Sequence, residues 1–293
     1  MKWLLLAAAL ALAATFVRPT WTVDRPRFEH VVVLDVTQSM NVQDEVFGGQ
    51  TMSRLDAAKG ALRQAVEALP CGSKVGWAIF TEYRAYLLFT PVEVCAHRAE
   101  LRSSLARIDS RMAWSGNSEV AKGLHSAIGI ARQLPGTPSL VFVTDGHEAP
   151  PLDPNQRPAF DDKPGEVAGV IVGVGALKPS PIPKRDALGQ PLGFWAADDV
   201  AQTNPHQPNR DLGGRDEVPA ASLGATRGSE HLSSQREGYL RLLAGENGLA
   251  YASLRGDGLA AALRAPALSR PVQTDVDLRN ALAALALVLL LAQ

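Results

Sequence analysis

Residues 30–40 read HVVVLDVTQSM, an apolar run that leads into Asp35, Thr37 and Ser39. An uninterrupted apolar run of this kind is typical of a strand in the middle of a parallel sheet, where both faces are buried. We therefore predict a buried strand over 30–36. Three side chains that carry oxygen atoms then lie at its carboxyl end.

Two later segments repeat this arrangement. The sequence WSGNSEVAKGL (114–124) places Ser118 just before a predicted helix over 119–134, and SLVFVTDG (139–146) places Asp145 just after a predicted strand over 140–144. Because the carboxyl ends of parallel strands meet at one edge of a sheet, we expect these side chains to lie together. Hydroxyl and carboxylate oxygens suit a hard divalent cation. The sequence predicts a metal site for Mg²⁺, with Ca²⁺ and Mn²⁺ as alternatives, whose ligands are Asp35, Thr37, Ser39, Ser118 and Asp145.

The hydroxyl residues also have a plainer interpretation. Thr37, Ser39 and Ser118 are residue types that cap helices and stabilise turns. Any one of them alone would favour that interpretation. Three such loops occur, and each lies at the end of a predicted strand or at the start of a predicted helix. This arrangement favours the metal site.

The rest of the chain alternates between predicted strands and helices. Ser53 opens a helix with Asp56 as the partner in a capping box. The apolar face of this helix comprises Leu55, Ala58, Leu62, Ala65, Val66 and Leu69. Further helices are predicted over 99–108, 236–244 and 258–264, and further strands over 167–174 and 249–254. This alternation indicates an open, doubly wound, mostly parallel α/β sheet, in which ligands bind at the carboxyl ends of the strands.

The two cysteines, Cys71 and Cys95, flank a predicted hairpin. Its turn lies near Tyr83, midway between them in sequence. An antiparallel hairpin with this turn places the cysteines opposite one another, within reach of a disulfide bond. The alternative is that they are two unrelated small core residues. A disulfide would indicate an oxidising compartment.

Both ends of the chain are apolar, over 3–17 and 281–292. Each stretch is shorter than the roughly 20 residues with which a helix crosses a bilayer comfortably. We interpret 1–20 as a membrane anchor or a signal peptide, since Ala11-Leu12-Ala13 resembles a cleavage site. We interpret 278–293 as a C-terminal membrane segment, with a packed helix as the alternative. Together with the predicted disulfide, this places the main domain in the periplasm at a bacterial inner membrane.

The main domain is predicted over 28–265 and carries a long insertion. Over 178–235 prolines and glycines are dense and helical periodicity disappears, which indicates a functional insertion or a partly mobile loop. The net charge is −1, the pI is about 6.6 and there is no basic patch. We therefore expect no nucleic-acid partner.

The three oxygen-rich loops resemble the metal-ion-dependent adhesion site (MIDAS) of von Willebrand factor A domains. That family has Asp-x-Ser-x-Ser on the first loop, a Thr on the second and an Asp before Gly on the third. In this chain Thr37 replaces the first Ser and Ser118 replaces the Thr. Both exchanges keep an oxygen atom, although the methyl group of Thr37 stiffens its side chain. All five positions therefore remain able to serve a metal ion.

The resemblance extends over roughly 28–265. Ser53-Arg54-Leu55 with Ala58-Lys59 is similar to the helix after the metal loop in bacterial A-domain proteins found with MoxR-type ATPases. The insertion and the apolar ends look most like MxaL-type accessory proteins of methanol dehydrogenase systems. This implies a metal-assisted protein-binding module rather than an enzyme. Its implied partners are a periplasmic quinoprotein client that presents an acidic residue, such as methanol dehydrogenase during calcium loading, and other A-domain proteins of the same system.

The sequence fits other functions less well. A phosphatase of the haloacid dehalogenase type would need a second carboxylate where the chain has Thr37. A hydrolase triad has histidines available in His125 and His147, but no serine lies in a G-x-S-x-G elbow. We expect His147 and Glu148 to be exposed loop residues without a role. A further alternative is a degenerate, metal-free A domain that serves as a scaffold in a MoxR-type system.

Overall fold

The central strand β1 spans Thr20–Asp35 and pairs in parallel with a strand on each side. Val31 and Val33 face one hydrophobic core, and Val32 and Leu34 face the other. This burial on both sides explains why the sequence is apolar at every position rather than at alternate ones. The strand begins at Thr20 rather than near the predicted start at 30, because its exposed first half pairs with β14 (Ser269–Asp277).

The computed structural model describes residues 2–152, 157–186, 188–201, 228–255 and 258–292. Its helices are α1 (Lys2–Thr15), α2 (Arg54–Glu67), α3 (Arg98–Arg107), α4 (Val120–Gln133), α5 (Glu237–Asn247), α6 (Gly258–Leu263) and α7 (Arg279–Leu291). Besides β1 and β14, its strands are β2 (Glu45–Phe47), β3 (Gln50–Met52), β4 (Lys74–Thr81), β5 (Arg84–Leu87), β6 (Val92–Glu93), β7 (Ser139–Thr144), β8 (Gly169–Gly173), β9 (Ser180–Pro181), β10 (Pro183–Arg185), β11 (Pro191–Phe194), β12 (Leu232–Ser233) and β13 (Ala250–Ser253).

The main sheet has the strand order β13-β8-β7-β1-β4-β5. Every neighbouring pair from β13 to β4 is parallel, and only the hairpin strands β5 and β6 run antiparallel to β4. Residues of α2, α3 and α6 pack on one face of the sheet, and residues of α4 and α5 pack on the other. The predicted doubly wound α/β fold is therefore confirmed.

The segment before α2 contains a small hairpin. Strands β2 and β3 pair antiparallel, and Gly48 and Gly49 form the turn between them with φ angles of 60° and 80°. Such angles favour glycine, and a two-residue Gly-Gly turn is a recognised hairpin signal. The helix itself begins as predicted, because the Ser53 hydroxyl accepts a hydrogen bond from the Asp56 amide.

The hairpin of β4 and β5 turns at residues 82–83, and a disulfide bond joins Cys71 to Cys95. Both predictions are confirmed. The register is not uniform, since Thr81 pairs with Arg84 but Lys74 pairs with Glu93. The returning chain bulges over Gly76, where a Cβ atom would lie 2.7 Å from the Phe89 carbonyl oxygen.

The described part of the predicted insertion forms two small antiparallel pairs, β9 with β12 and β10 with β11. The side chain of Ile182, which lies between the two pairs in sequence, is buried. Residues 202–227 of the prediction lie outside the described residues. The insertion is therefore attached to the domain at both of its described ends, rather than being a loop without structure there.

The chain divides into two compact units, one of Phe28–Ser269 and one of Met1–Arg27 with Arg270–Gln293. In the second unit α1 packs against α7, and Thr22 donates a hydrogen bond to Asp275 (2.7 Å). In the part of the chain that the structure describes, no helix combines the length and the apolar character needed to cross a membrane.

The disulfide bond generates a prediction about stability. Replacing both Cys71 and Cys95 by Ser should lower the free energy of unfolding by roughly 3 kcal/mol, because the bond restricts the unfolded chain. Urea unfolding of the full chain measures this. Reductant should destabilise the parent by a similar amount and leave the double variant unchanged. Two alkylatable thiols in protein prepared without reductant would contradict the pairing.

Candidate functional site

The site lies where the chain reverses its direction of winding across the sheet. From β1 the chain passes through α2 to β4 on one side, whereas β7 lies on the other side of β1 and is reached through α4 on the opposite face. A crevice at the carboxyl ends of β1 and β7 follows from this reversal. Leu34 is paired with Val143, so Asp35 and Thr144 are neighbours at this edge.

Asp35 is fully buried at the floor of this crevice. One of its oxygens accepts hydrogen bonds from the Thr37 amide (2.9 Å) and the Thr37 hydroxyl (2.7 Å). Its other oxygen accepts from the Thr144 hydroxyl (2.6 Å). Burial, together with the neighbouring Asp145 carboxylate, raises the pKa of Asp35 to about 7. Two carboxylates are thus held close together out of water, an arrangement that a cation would stabilise.

Three hydroxyl side chains line one cleft of about 300 Å³ above these carboxylates. They belong to Thr37, Ser39 and Ser118, which come from two different loops. The Oγ1 of Thr37 and the Oγ of Ser39 are 3.4 Å apart. The Oγ of Ser118 is buried and has no hydrogen-bond partner among the described residues. Because leaving a buried hydroxyl unbonded is costly, this oxygen is available to bind a group that enters the cleft.

Backbone bonds hold Ser118 in this position. Its amide donates to the Ala149 carbonyl (2.6 Å), and the Ala149 amide donates to the Ser118 carbonyl (2.8 Å). The next residue, Glu119, donates its amide to the Glu82 carbonyl at the tip of the β4–β5 hairpin. The loop that carries Ser118 is therefore held between the β4–β5 hairpin and the loop that follows β7.

Asp145 is also fully buried, and it contacts a cation that the sequence analysis did not assign to the site. Its Oδ2 accepts from Nη1 of Arg54 (2.5 Å) and from the Ser233 hydroxyl (3.0 Å), while its Oδ1 accepts from the His147 amide (2.9 Å). Burial would raise the pKa of Asp145, but the Arg54 guanidinium acts together with hydrogen bonds from the His147 amide and from Ser39, and the pKa lies below the ordinary value. Asp145 is therefore ionised.

Arg54 has no exposed surface, and it joins three loops. Besides Asp145, it binds both carboxylate oxygens of Asp44 (2.9 and 2.6 Å) and donates to the Ser233 hydroxyl (2.7 Å) and carbonyl (3.0 Å). It is the first residue of α2, where the helix macrodipole disfavours a positive charge. That unfavourable placement is the signal in the sequence from which a buried acidic partner could have been inferred.

The expectation that His147 and Glu148 are exposed is wrong. Both are buried, because the loop after Asp145 runs inward beneath α5. Glu148 accepts hydrogen bonds from the Tyr239 hydroxyl (2.5 Å) and the Ala121 amide (3.0 Å). Burial raises the pKa of Glu148 to about 7 and lowers the pKa of His147 to about 4. His147 also lines the cleft.

The structure therefore brings all five predicted oxygen-bearing residues together at the crevice, three on its surface and two beneath it. An all-oxygen donor set with an unpartnered buried hydroxyl fits a hard divalent cation. His125, weighed as a hydrolase residue, instead bonds Asp162 (2.5 Å) and stacks on Phe160.

Comparison with known proteins agrees with this architecture. Residues 30–147 match the family model of the von Willebrand factor type A domain, and this stretch contains all five residues. The match thus extends over less than half of the chain. No curated protein matches the chain. Among solved structures, an aerotolerance-related membrane protein from Bacteroides fragilis is similar at 18% identity, covering 81% of this chain and 96% of that one, with a TM-score of 0.47. A von Willebrand factor type A protein from Catenulispora acidiphila is similar at 12% identity, covering 90% and 44%, with a TM-score of 0.38.

The buried Arg54 cluster generates a stability prediction. Replacing Arg54 by Met should lower the free energy of unfolding by about 3–5 kcal/mol, because Asp145 and Asp44 would lose their shared cation. The matched control is Arg63→Met on the exposed side of the same helix, which should change it by at most about 0.5 kcal/mol. Urea unfolding followed by tryptophan fluorescence, to which buried Trp77 contributes, measures both. Equal stabilities of the two variants would contradict a structural role for the cluster.

Proposed function

We propose that the von Willebrand factor type A domain of this chain is a metal-dependent protein-binding module and not an enzyme. Its divalent cation is Mg²⁺ in this proposal, with Ca²⁺ and Mn²⁺ as alternatives. The ligands are Asp35, Thr37, Ser39, Ser118 and Asp145. The single observation that supports this most directly is the buried Ser118 hydroxyl, which lacks a partner within the described residues and opens onto the cleft of Thr37 and Ser39.

The hydrogen bonds of the two carboxylates suggest how the ligands divide their roles. Asp35 and Asp145 each accept three hydrogen bonds from protein donors. They therefore act through bound water and through their charge, since Mg²⁺ retains several waters in proteins. The three hydroxyls are neutral and face the cleft, so they serve as direct ligands.

In this proposal the donor set favours a partner with an acidic side chain. A bound divalent cation would supply positive charge and an open position for a carboxylate oxygen of another protein. The hydroxyl ligands leave that charge largely uncompensated, and the cleft walls reduce its contact with water. The partner in this proposal presents an acidic side chain to the cleft.

The biological setting is proposed from the covalent structure and the resemblance. The Cys71–Cys95 disulfide supports an oxidising compartment, and the apolar helices α1 and α7 support attachment to the bacterial inner membrane. The resemblance to MxaL-type proteins suggests that the client is a periplasmic quinoprotein such as methanol dehydrogenase during assembly or metal loading. A metal-free scaffold in a MoxR-type system is the competing function.

The first test concerns metal binding. Ser118→Ala removes a buried hydroxyl that makes no hydrogen bond to the described residues, so stability without metal should not fall. Affinity for Mg²⁺ or Mn²⁺ should fall about tenfold, as at other metal sites that lose a supporting group. The matched control is Thr81→Val, because the Thr81 hydroxyl is likewise buried and unpartnered within the described chain but lies outside the cleft. Calorimetry that finds equal affinities for parent and Ser118→Ala would reject the assignment.

The second test concerns the client. The full chain, used as bait in extracts of methanol-grown cells, should recover a quinoprotein alcohol dehydrogenase identified by mass spectrometry. Recovery should fail with EDTA and in Asp35→Ala, because EDTA removes the cation and the variant removes one of its proposed ligands. The exposed Asp161→Ala variant is the control and should behave as the parent. If recovery of the client is the same with EDTA and with Asp35→Ala as with the untreated parent, the metal-free scaffold remains as the function.

A further inference from the structure

The cleft has two chemically different parts. One part carries the hydroxyls of Thr37, Ser39 and Ser118, and another carries the side chains of Ile182 and Trp195 from the insertion. Its volume of about 300 Å³ lies at the lower end of the range of small-ligand pockets. Because water occupies about 30 Å³ per molecule in the liquid, the cleft has more room than a single carboxylate group needs. Its apolar part is available to a second group of the same ligand.

The apolar part is held in place by contacts with the metal loop. The indole N–H of Trp195 donates to the side-chain oxygen of Gln38, the residue between two of the proposed hydroxyl ligands. The Trp195 amide donates to the Ile182 carbonyl (3.0 Å), and Ile182 is itself only 5% exposed. Lys184 lies 4.4 Å from the centre of the indole ring. A wall that is fixed before binding loses little conformational entropy on binding, which favours affinity.

The charges near this wall restrict what it can accept. Asp199 lines the cleft but forms an ion pair with Lys184 (3.3 Å), so this pair contributes no net charge. Glu230 also lines this cleft as a buried carboxyl group. An apolar side chain of a ligand would cover Trp195 and Ile182. The two parts of the cleft therefore suit a single acidic residue with an apolar neighbour.

We propose that Ile182 and Trp195 form a subsite for the apolar side chain next to the acidic residue of the bound protein segment. The insertion thus sets specificity, while the hydroxyl loops supply the metal contact. This inference rests on the proposed metal-dependent binding function and narrows its ligand class to an acidic residue beside an aliphatic or aromatic one.

The test compares two fluorescently labelled capped peptides, Leu-Asp-Leu and Ser-Asp-Ser, binding to the full chain with Mg²⁺. Fluorescence anisotropy should show about tenfold tighter binding of the Leu peptide, the discrimination expected of a small apolar pocket. Trp195→Ala should abolish this preference without changing Mg²⁺ affinity. Trp195→Phe should retain most of it. Phe194→Ala is the matched control, because Phe194 is the preceding residue, is 62% exposed and lies outside the cleft.

The outcomes separate the subsite from the metal function. Equal metal-dependent binding of both peptides, or a preference that survives Trp195→Ala, would overturn the subsite and leave the metal function intact. A preference that Trp195→Ala removes but that EDTA does not affect would support the subsite and overturn the metal function. Absence of binding by either peptide, with folding of the chain verified by thermal unfolding, would overturn both.

Discussion

The burial of two carboxylates at the ends of neighbouring strands is the constraint on which this structure depends. Asp35 and Asp145 have no exposed surface, and an ionised carboxylate without compensation costs several kcal/mol when it leaves water. The chain compensates them differently. Asp35 receives hydroxyl and amide donors, and burial still raises its pKa to about 7. Asp145 receives a guanidinium and stays ionised. The hydrogen bonds of Asp35 thus come from neutral donors, whereas those of Asp145 include a cationic one.

The guanidinium that compensates Asp145 also organises distant parts of the chain. Arginine has five N–H donors, and a buried one requires an acceptor for each. The acceptors for Arg54 belong to Asp44, Asp145 and Ser233, which lie 10, 91 and 179 residues away in sequence. Ser233 belongs to β12, which pairs with β9 at the other end of the insertion. The base of the insertion is therefore bonded to the same carboxylate that faces the crevice.

Much of this could be predicted from the sequence, because it follows from local pattern. The apolar runs predict the parallel strands, and oxygen-bearing residues at the strand ends predict where the crevice lies. What could not be predicted depends on partners far along the chain. The placement of Arg54 signals a buried acid but does not identify it. The burial of Glu148 depends on Tyr239, which follows 91 residues later. The β2–β3 hairpin, in contrast, could have been predicted from the sequence, because Gly48-Gly49 is a local turn signal.

The paired backbone hydrogen bonds between Ser118 and Ala149 have a mechanical consequence. They join the loop before α4 to the loop after β7, and Glu148 adds bonds to the first turn of α4 and to Tyr239 of α5. These two loops and the ends of α4 and α5 are therefore connected to one another by hydrogen bonds on one side of the crevice, and the loop of Thr37 and Ser39 lies on the other side. A ligand that bridged the crevice would contact two connected parts of the chain rather than three independent loops.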